Sequence, residues 1–144
     1  MNYKNILNII GKVLQIEAIL LLLPLLVGVI YKESWNATLF AFFITALGSF
    51  IVGVLLNISK PKSKKILPRA SFIIVALSWI IVAMAGALPL VISKEIPNFF
   101  DAFFEMSSGF TTTGASICTN VESLSHSILF WRSFSHWIGG MGVI

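Results

Sequence analysis

Ser108-Gly109-Phe110-Thr111-Thr112-Thr113-Gly114-Ala115-Ser116 is the stretch on which the reading of this chain turns. It is polar and glycine-bearing, yet hydrophobic segments flank it on both sides. A turn in a soluble protein can contain the same letters, so the surroundings decide. Of the 144 residues, 57% are hydrophobic and 11% charged, against roughly 45–50% and 25% in an ordinary soluble domain. Mean hydropathy is +0.93. These values predict an all-α integral membrane protein. In such a protein an irregular polar loop must be buried among helices or line a water-filled path.

Working upstream, three segments approach the roughly 20 apolar residues that a membrane span needs. They are Ile6–Tyr31, Trp35–Ile58 and Pro68–Ile92. Pro24 interrupts the first, which a bundled helix tolerates when neighbours satisfy the freed carbonyl. Gly48, Ser49 and Gly53 give the second a face of small residues for close packing. The first run is too long for a signal-peptide core and no cleavage site follows it, so it reads as a mature helix. Downstream, a fourth span begins near His126 and is cut off at Ile144. No long internal repeat is visible.

Charge predicts orientation. Lys60, Lys62, Lys64, Lys65 and Arg69 crowd the connection between the second and third spans, and Lys4 and Lys12 lie at the N-terminus. Basic residues favour the cytoplasmic side, and two helices bring both groups there. Lys94, Glu95, Asp101, Glu105 and Glu122 then fall outside. The net charge of +4 is thus explained by membrane orientation, and nucleic acid is not expected as a partner. Cys118 is the single cysteine, which excludes an internal disulfide and disfavours a metal cluster. No nucleophile–base pair or metal-ligand spacing points to an enzyme.

Phe99–Ser108 is too short to span. Its ten residues make a helix of about 15 Å, half the hydrocarbon thickness. It is predicted to dip into the bilayer and return. Asn98 is placed to cap its start, with Asp101 three positions on in capping-box fashion. Phe99, Phe100, Phe103 and Phe104 form a stripe expected to face other helices. Asp101, Glu105 and Ser108 fall on another face, and Gly109 sits where a C-terminal glycine cap would be. A helix entering from outside aims its partly negative C-terminal end at the membrane centre, which favours a cation. Thr111, Thr112, Thr113 and Gly114 would then return as a strand of carbonyl oxygens replacing an ion's hydration shell. A re-entrant loop without an ion is the plainer alternative.

Several motifs carry a family resemblance. They are Leu67-Pro68-Arg69, Gly86-Ala87-Leu88-Pro89, Asp101-Ala102-Phe103-Phe104-Glu105, the SGFTTTGA stretch and Phe130-Trp131-Arg132-Ser133-Phe134-Ser135-His136-Trp137-Ile138-Gly139-Gly140-Met141-Gly142. Together they resemble the TrkH/KtrB superfamily, the membrane subunits of bacterial potassium uptake systems, and its TrkH branch in particular. The resemblance implies potassium ion transport across the cell membrane. It divides the chain into an N-terminal two-helix hairpin with its basic loop (1–65) and an incomplete outer helix–pore helix–inner helix unit (66–144). Thr112, Thr113 and Gly114 match the potassium filter, flanked by Thr111 and Ala115. Glycine at that position goes with potassium preference, and serine with sodium permeation in related plant transporters. K+ is the transported ligand, with no cofactor and no other metal. A homodimer and a cytosolic nucleotide-binding regulatory subunit are implied partners, beside the lipid bilayer. Arg69-Ala70-Ser71 departs from the Arg-Glu-Gly common in the family. The family carries four pore units and this sequence holds one, so it reads as an N-terminal fragment giving one of four filter strands. A homotetrameric pore and a non-conducting membrane fragment are the alternatives.

The remaining polar residues have plainer expectations. Glu17, inside the first span, reads as partly solvated or paired with Lys12 in preference to an ion site. Asp101 and Glu105 either attract cations at the outer mouth or support the pore helix, Asp101 by capping and Glu105 by holding the loop. Arg132 and His136, four residues apart, are expected to pack or hydrogen bond against the short helix. Gly139, Gly140 and Gly142 allow a bend or close helix packing.

Overall fold

The computed structural model describes residues 3–33, 35–61, 63 and 65–143, with the side chains of Asn36 and Val143 left aside. Lys62 and Lys64 of the basic loop, and Ile144, lie outside the described residues. Six α-helices follow in order: α1 (Tyr3–Leu20), α2 (Leu22–Ile30), α3 (Phe40–Ile58), α4 (Pro68–Ile92), α5 (Phe99–Phe110) and α6 (His126–Val143). A π-helical turn, Trp35–Leu39, leads into α3, and a 3-10 turn, Val121–Ser123, precedes α6.

Among the described residues, three stretches are long and apolar enough to cross a membrane: Tyr3–Ile30, Ala37–Ile58 and Pro68–Ile92. The first breaks at Leu21, between α1 and α2. The cause is Pro24, whose missing N–H leaves the Leu20 carbonyl without its intrahelical donor. Pro68 stands at the start of α4, where a proline lacks only a bond the helix would not have made. The expected fourth span, α6, is a continuous helix of 18 residues. It carries Arg132, His126 and His136 and is less apolar than the other three.

Backbone contact joins α1 to α3. A Cβ on Gly11 would lie 2.7 Å from the Gly53 carbonyl, and one on Gly53 would lie 2.6 Å from the Gly11 carbonyl. Only glycine permits that approach, which replaces side-chain interdigitation with direct van der Waals contact between backbones. The main core lies where α4, α5 and α6 meet α2 and α3. Trp131, Phe42, Phe110, Leu90 and Met106 are fully buried there. Phe42 and Phe110 meet the Trp131 indole edge-on, at centroid distances of 6.5 and 6.1 Å, a favoured geometry for ring quadrupoles. The indole N–H donates to the Gly86 carbonyl at 3.0 Å, which satisfies the one polar atom of the largest core residue and ties α6 to α4.

Candidate functional site

α5 starts as the sequence indicates, with Asn98 Oδ1 accepting the Phe100 N–H at 2.9 Å. Asp101 is exposed in the first turn. It forms no reciprocal capping-box bond among the described residues. Its carboxylate still faces the positive end of the helix dipole.

The end of the helix departs from expectation. α5 runs to Phe110, two residues past Ser108, and Gly109 is no cap. Gly109 is buried in the last turn, where an added Cβ would strike the Ser135 hydroxyl of α6. The left-handed residue that ends the helix is Thr112, with φ +58°. The Thr113 N–H donates to the Ser108 carbonyl at 2.9 Å and the Thr112 N–H to the Gly109 carbonyl at 3.0 Å. This is the Schellman pattern, with a β-branched residue in the seat glycine normally takes. That conformation costs on the order of 1–2 kcal/mol. The Thr112 hydroxyl offsets part of the cost by donating to the Thr111 carbonyl at 2.7 Å. Gly114 follows at φ +80°, with no atom close enough to crowd a Cβ, so backbone conformation alone requires glycine there.

The phenylalanine stripe is half borne out: Phe99 and Phe103 are partly buried and pack against the main core. Phe100 is 78% exposed and Phe104 is exposed too. The buried face carries Ala102, Glu105, Met106 and Ser108–Phe110. An acid occupies a buried face because its partners are there. Glu105 is 4% exposed and accepts from Arg132 of α6, through Nε at 2.7 Å and through Nη2. The Ser116 hydroxyl lies 2.9 and 3.1 Å from its two oxygens, and the Ile117 N–H donates to Oε2 at 3.2 Å. The Ser108 hydroxyl donates to the Ala115 carbonyl at 2.5 Å. The chain after Thr113 is therefore tied back alongside α5 at Ala115, Ser116 and Ile117.

Between these ties the loop is bare. Residues 111–117 are exposed. The Thr111 hydroxyl donates to the Ser107 carbonyl at 2.6 Å and lies 2.8 Å from the Thr113 hydroxyl. Among the described residues, the carbonyl oxygens of Thr112, Thr113 and Gly114 accept no hydrogen bond. Three successive carbonyls free of protein donors at a helix C-terminus form a partly negative edge. Gly139 brings α6 against this turn, since a Cβ there would strike the Phe110 carbonyl.

Other residues divide. Arg132 does bond to the short helix, as the sequence suggested, while His136 Nδ1 lies 2.8 Å from the Arg132 carbonyl. Glu17 is neither solvated nor paired with Lys12. It is 3% exposed, and both carboxylate oxygens lack a partner among the described residues, because α1 turns this face toward Gly86 of α4. Sequence reasoning missed Ser116 as a ligand of Glu105. It also missed Glu33, which accepts from the Ser127 N–H at 3.2 Å and hydroxyl at 2.5 Å, and Glu95, which accepts from the Ser125 N–H at 3.1 Å. The last two place negative charge at the N-terminus of α6. Partners 94 and 30 residues away leave no local signal.

The family model described as "TrkH: Cation transport protein" matches residues 38–144. An uncharacterized cation transporter of Methanocaldococcus jannaschii is 42% identical over 98% of this chain and 29% of its own length. The Trk system potassium uptake protein TrkH of Escherichia coli is 37% identical over 100% of this chain and 30% of its own length. The crystal structure of the potassium transporter TrkH from Vibrio parahaemolyticus superposes with a TM-score of 0.90, at 33% identity, over 99% of this chain and 30% of that one. The chain thus spans about 30% of the length of these relatives.

Proposed function

We propose a potassium-transport role from one premise: this chain belongs to the TrkH family of cation transport proteins. It is a membrane protein, and relatives that match it end to end are named for potassium uptake. In this reading α5 is a re-entrant pore helix and Thr111–Ala115 one wall of a potassium filter. Thr112, Thr113 and Gly114 supply the carbonyl oxygens that stand in for the ion's water.

The observation that carries the proposal is the row of three unbonded carbonyls held at the end of α5. α5 has 12 residues, about 18 Å of helix, against roughly 30 Å of hydrocarbon. Its dipole adds partial negative charge where the carbonyls gather. Glu105, bonded to Ser116, Ile117 and Arg132, positions the strand and does not touch the ion. One strand surrounds no ion, so the pathway needs three further strands. The division at residue 65 into a hairpin and a pore unit belongs to the same reading. So do a cytoplasmic N-terminus in the cell membrane, a homodimer and a cytosolic nucleotide-binding regulatory subunit.

The test is Gly114→Ser in a complete transporter containing this unit, with K+ and Na+ fluxes measured in proteoliposomes. Positive φ at residue 114 would be strained and its carbonyl re-aimed, so potassium preference should fall. Unchanged K+/Na+ selectivity in a folded, conducting variant would overturn the reading.

A further inference from the structure

Glu17 is the one acidic residue within the three membrane-spanning stretches, near the middle of Tyr3–Ile30. An ionisable group at that depth is a functional candidate by default. Both of its oxygens are sealed from solvent and have no donor among the described residues.

No charge faces it from the elements around it. α2 and α3 carry no titratable side chain. On α1, Tyr3 and Lys4 are exposed at the start, and Lys12 is exposed and lies about 140° round the helix from Glu17. Arg69, the charged residue of α4, is exposed at its start. On α5 and α6, Asp101 is exposed, Glu105 and Arg132 face each other, His126 lies beside Glu33, and His136 Nδ1 lies against the Arg132 carbonyl. An ionised carboxylate sealed there without a partner would cost several kcal/mol, and a buried acid avoids that charge by keeping its proton. Water and other side chains have no access to these oxygens. A proton is the one ligand that needs no opening.

What the carboxyl touches gives that proton a consequence. A Cβ on Gly86 would lie 3.4 Å from Glu17 Oε1 and 3.0 Å from the Phe110 ring, so acid and ring meet over the bare backbone of α4. The carbonyl of the same Gly86 accepts the Trp131 indole N–H. An apolar cavity of about 100 Å³ lies beside them, walled by Leu20, Val82, Phe110, Trp131 and Ile138 among others. It gives the rings room to shift and presents no free polar group to a charge. Phe110 is the last residue of α5, and the turn of Thr112 and Thr113 follows it directly.

We propose that Glu17 is a proton-binding site, neutral when occupied, that seats the N-terminal hairpin against Gly86 and Phe110 and loosens the turn after α5 when the proton leaves. The step is a plain dissociation of carboxylic acid to carboxylate and H+. The site does not depend on the filter reading. Only its bearing on ion passage rests on that reading, under which alkaline conditions slow potassium flux.

The test compares the full chain in detergent with Glu17→Gln, which keeps the shape of the neutral acid and cannot ionise. At neutral pH their infrared difference spectrum should carry the C=O band of an un-ionised carboxylic acid. Carboxylate bands in its place would overturn the proposal. Wherever the unfolded carboxyl is ionised and the native one is not, folding takes up one proton. The folding equilibrium of the parent, relative to Glu17→Gln, should then fall tenfold per pH unit as pH rises. Amide exchange reads the coupling. Under alkaline conditions the Thr112 and Thr113 N–H groups, bonded to Gly109 and Ser108, should exchange several-fold faster in the parent than in Glu17→Gln, and equal rates would sink the link to the turn. Glu17→Leu, equally unable to ionise, should match Glu17→Gln in both pH measurements. A parent-like pH dependence in both variants would assign it to another group and overturn the proposal.

Discussion

Arg132→Met isolates the contact that holds the loop. Arg132 brings two of the four donor groups on the Glu105 carboxylate, and the side chains are 14% and 2% exposed. Removing one partner of a buried pair costs about 3–5 kcal/mol, whereas an exposed pair is worth about 0–1 kcal/mol. Ser116 and Ile117 would still hold the carboxylate, so the low end applies. The expected loss is about 3 kcal/mol, or roughly a hundredfold in the folding equilibrium. Glu105→Leu alone should cost a comparable amount by stranding the guanidinium. The double variant removes both charges and should cost at least 2 kcal/mol less than the sum of the two, on the order of the coupling such neighbours show. The assay is unfolding of the chain in detergent micelles, followed by circular dichroism. Cys118 gives a local readout, because its N–H donates to the Ser116 hydroxyl at 3.1 Å. A loop freed from Glu105 should react faster with a maleimide. A single-variant cost below about 1 kcal/mol, or strict additivity with unchanged Cys118 reactivity, would refute the claim that this pair positions the loop.

Three further outcomes are expected. Gly139→Ala places a methyl against the Phe110 carbonyl and should destabilise by about 1–3 kcal/mol, read in the same unfolding assay. Thr112→Gly relieves the left-handed strain at φ +58° but adds unfolded-state freedom, so stability should change by less than about 1 kcal/mol. Potassium selectivity in the complete transporter should fall, because the turn is freer to re-aim its carbonyls. Glu17→Leu removes two buried oxygens without partners and should leave stability unchanged or raise it by about 1–3 kcal/mol. A marked loss in thermal unfolding would reveal a partner for that carboxylate.

Much of the fold is legible because membrane spans announce themselves by length and apolarity. Pro68–Ile92 is recovered to the residue, and the start of α6 at His126 likewise. The short helix is legible for the same reason, since Pro97 and Asn98 mark its start. Its buried face is not. Hydrophobic periodicity assigns Phe100 and Phe104 to the interior, but the structure buries Glu105, because Arg132, 27 residues away, donates to it through two nitrogens. A pattern rule places charge outward until a partner is known, and partners at long range are invisible to it. Gly109 fails for a related reason. A glycine near a helix end suggests a cap, yet this one makes room for Ser135, and the left-handed seat passes to a threonine that propensity would not choose.

That substitution has a consequence for the candidate site. A glycine at position 112 would end α5 without strain and leave the following peptides free to rotate. A threonine in the same seat admits a much narrower range of φ and ψ, and its hydroxyl is spent on the Thr111 carbonyl. The carbonyls that follow are thus fixed from one side by a stiff turn and from the other by the bonds at Ala115 and Ser116. Selecting one cation over another of equal charge depends on how closely ligand oxygens keep their spacing, or on how many point inward at once. Either account needs a strand held at both ends. On the proposed filter reading, the energy stored at Thr112 is the cost of a rigid oxygen array, borne where α5, α6 and the loop over-determine the geometry through Gly109, Gly139 and Glu105.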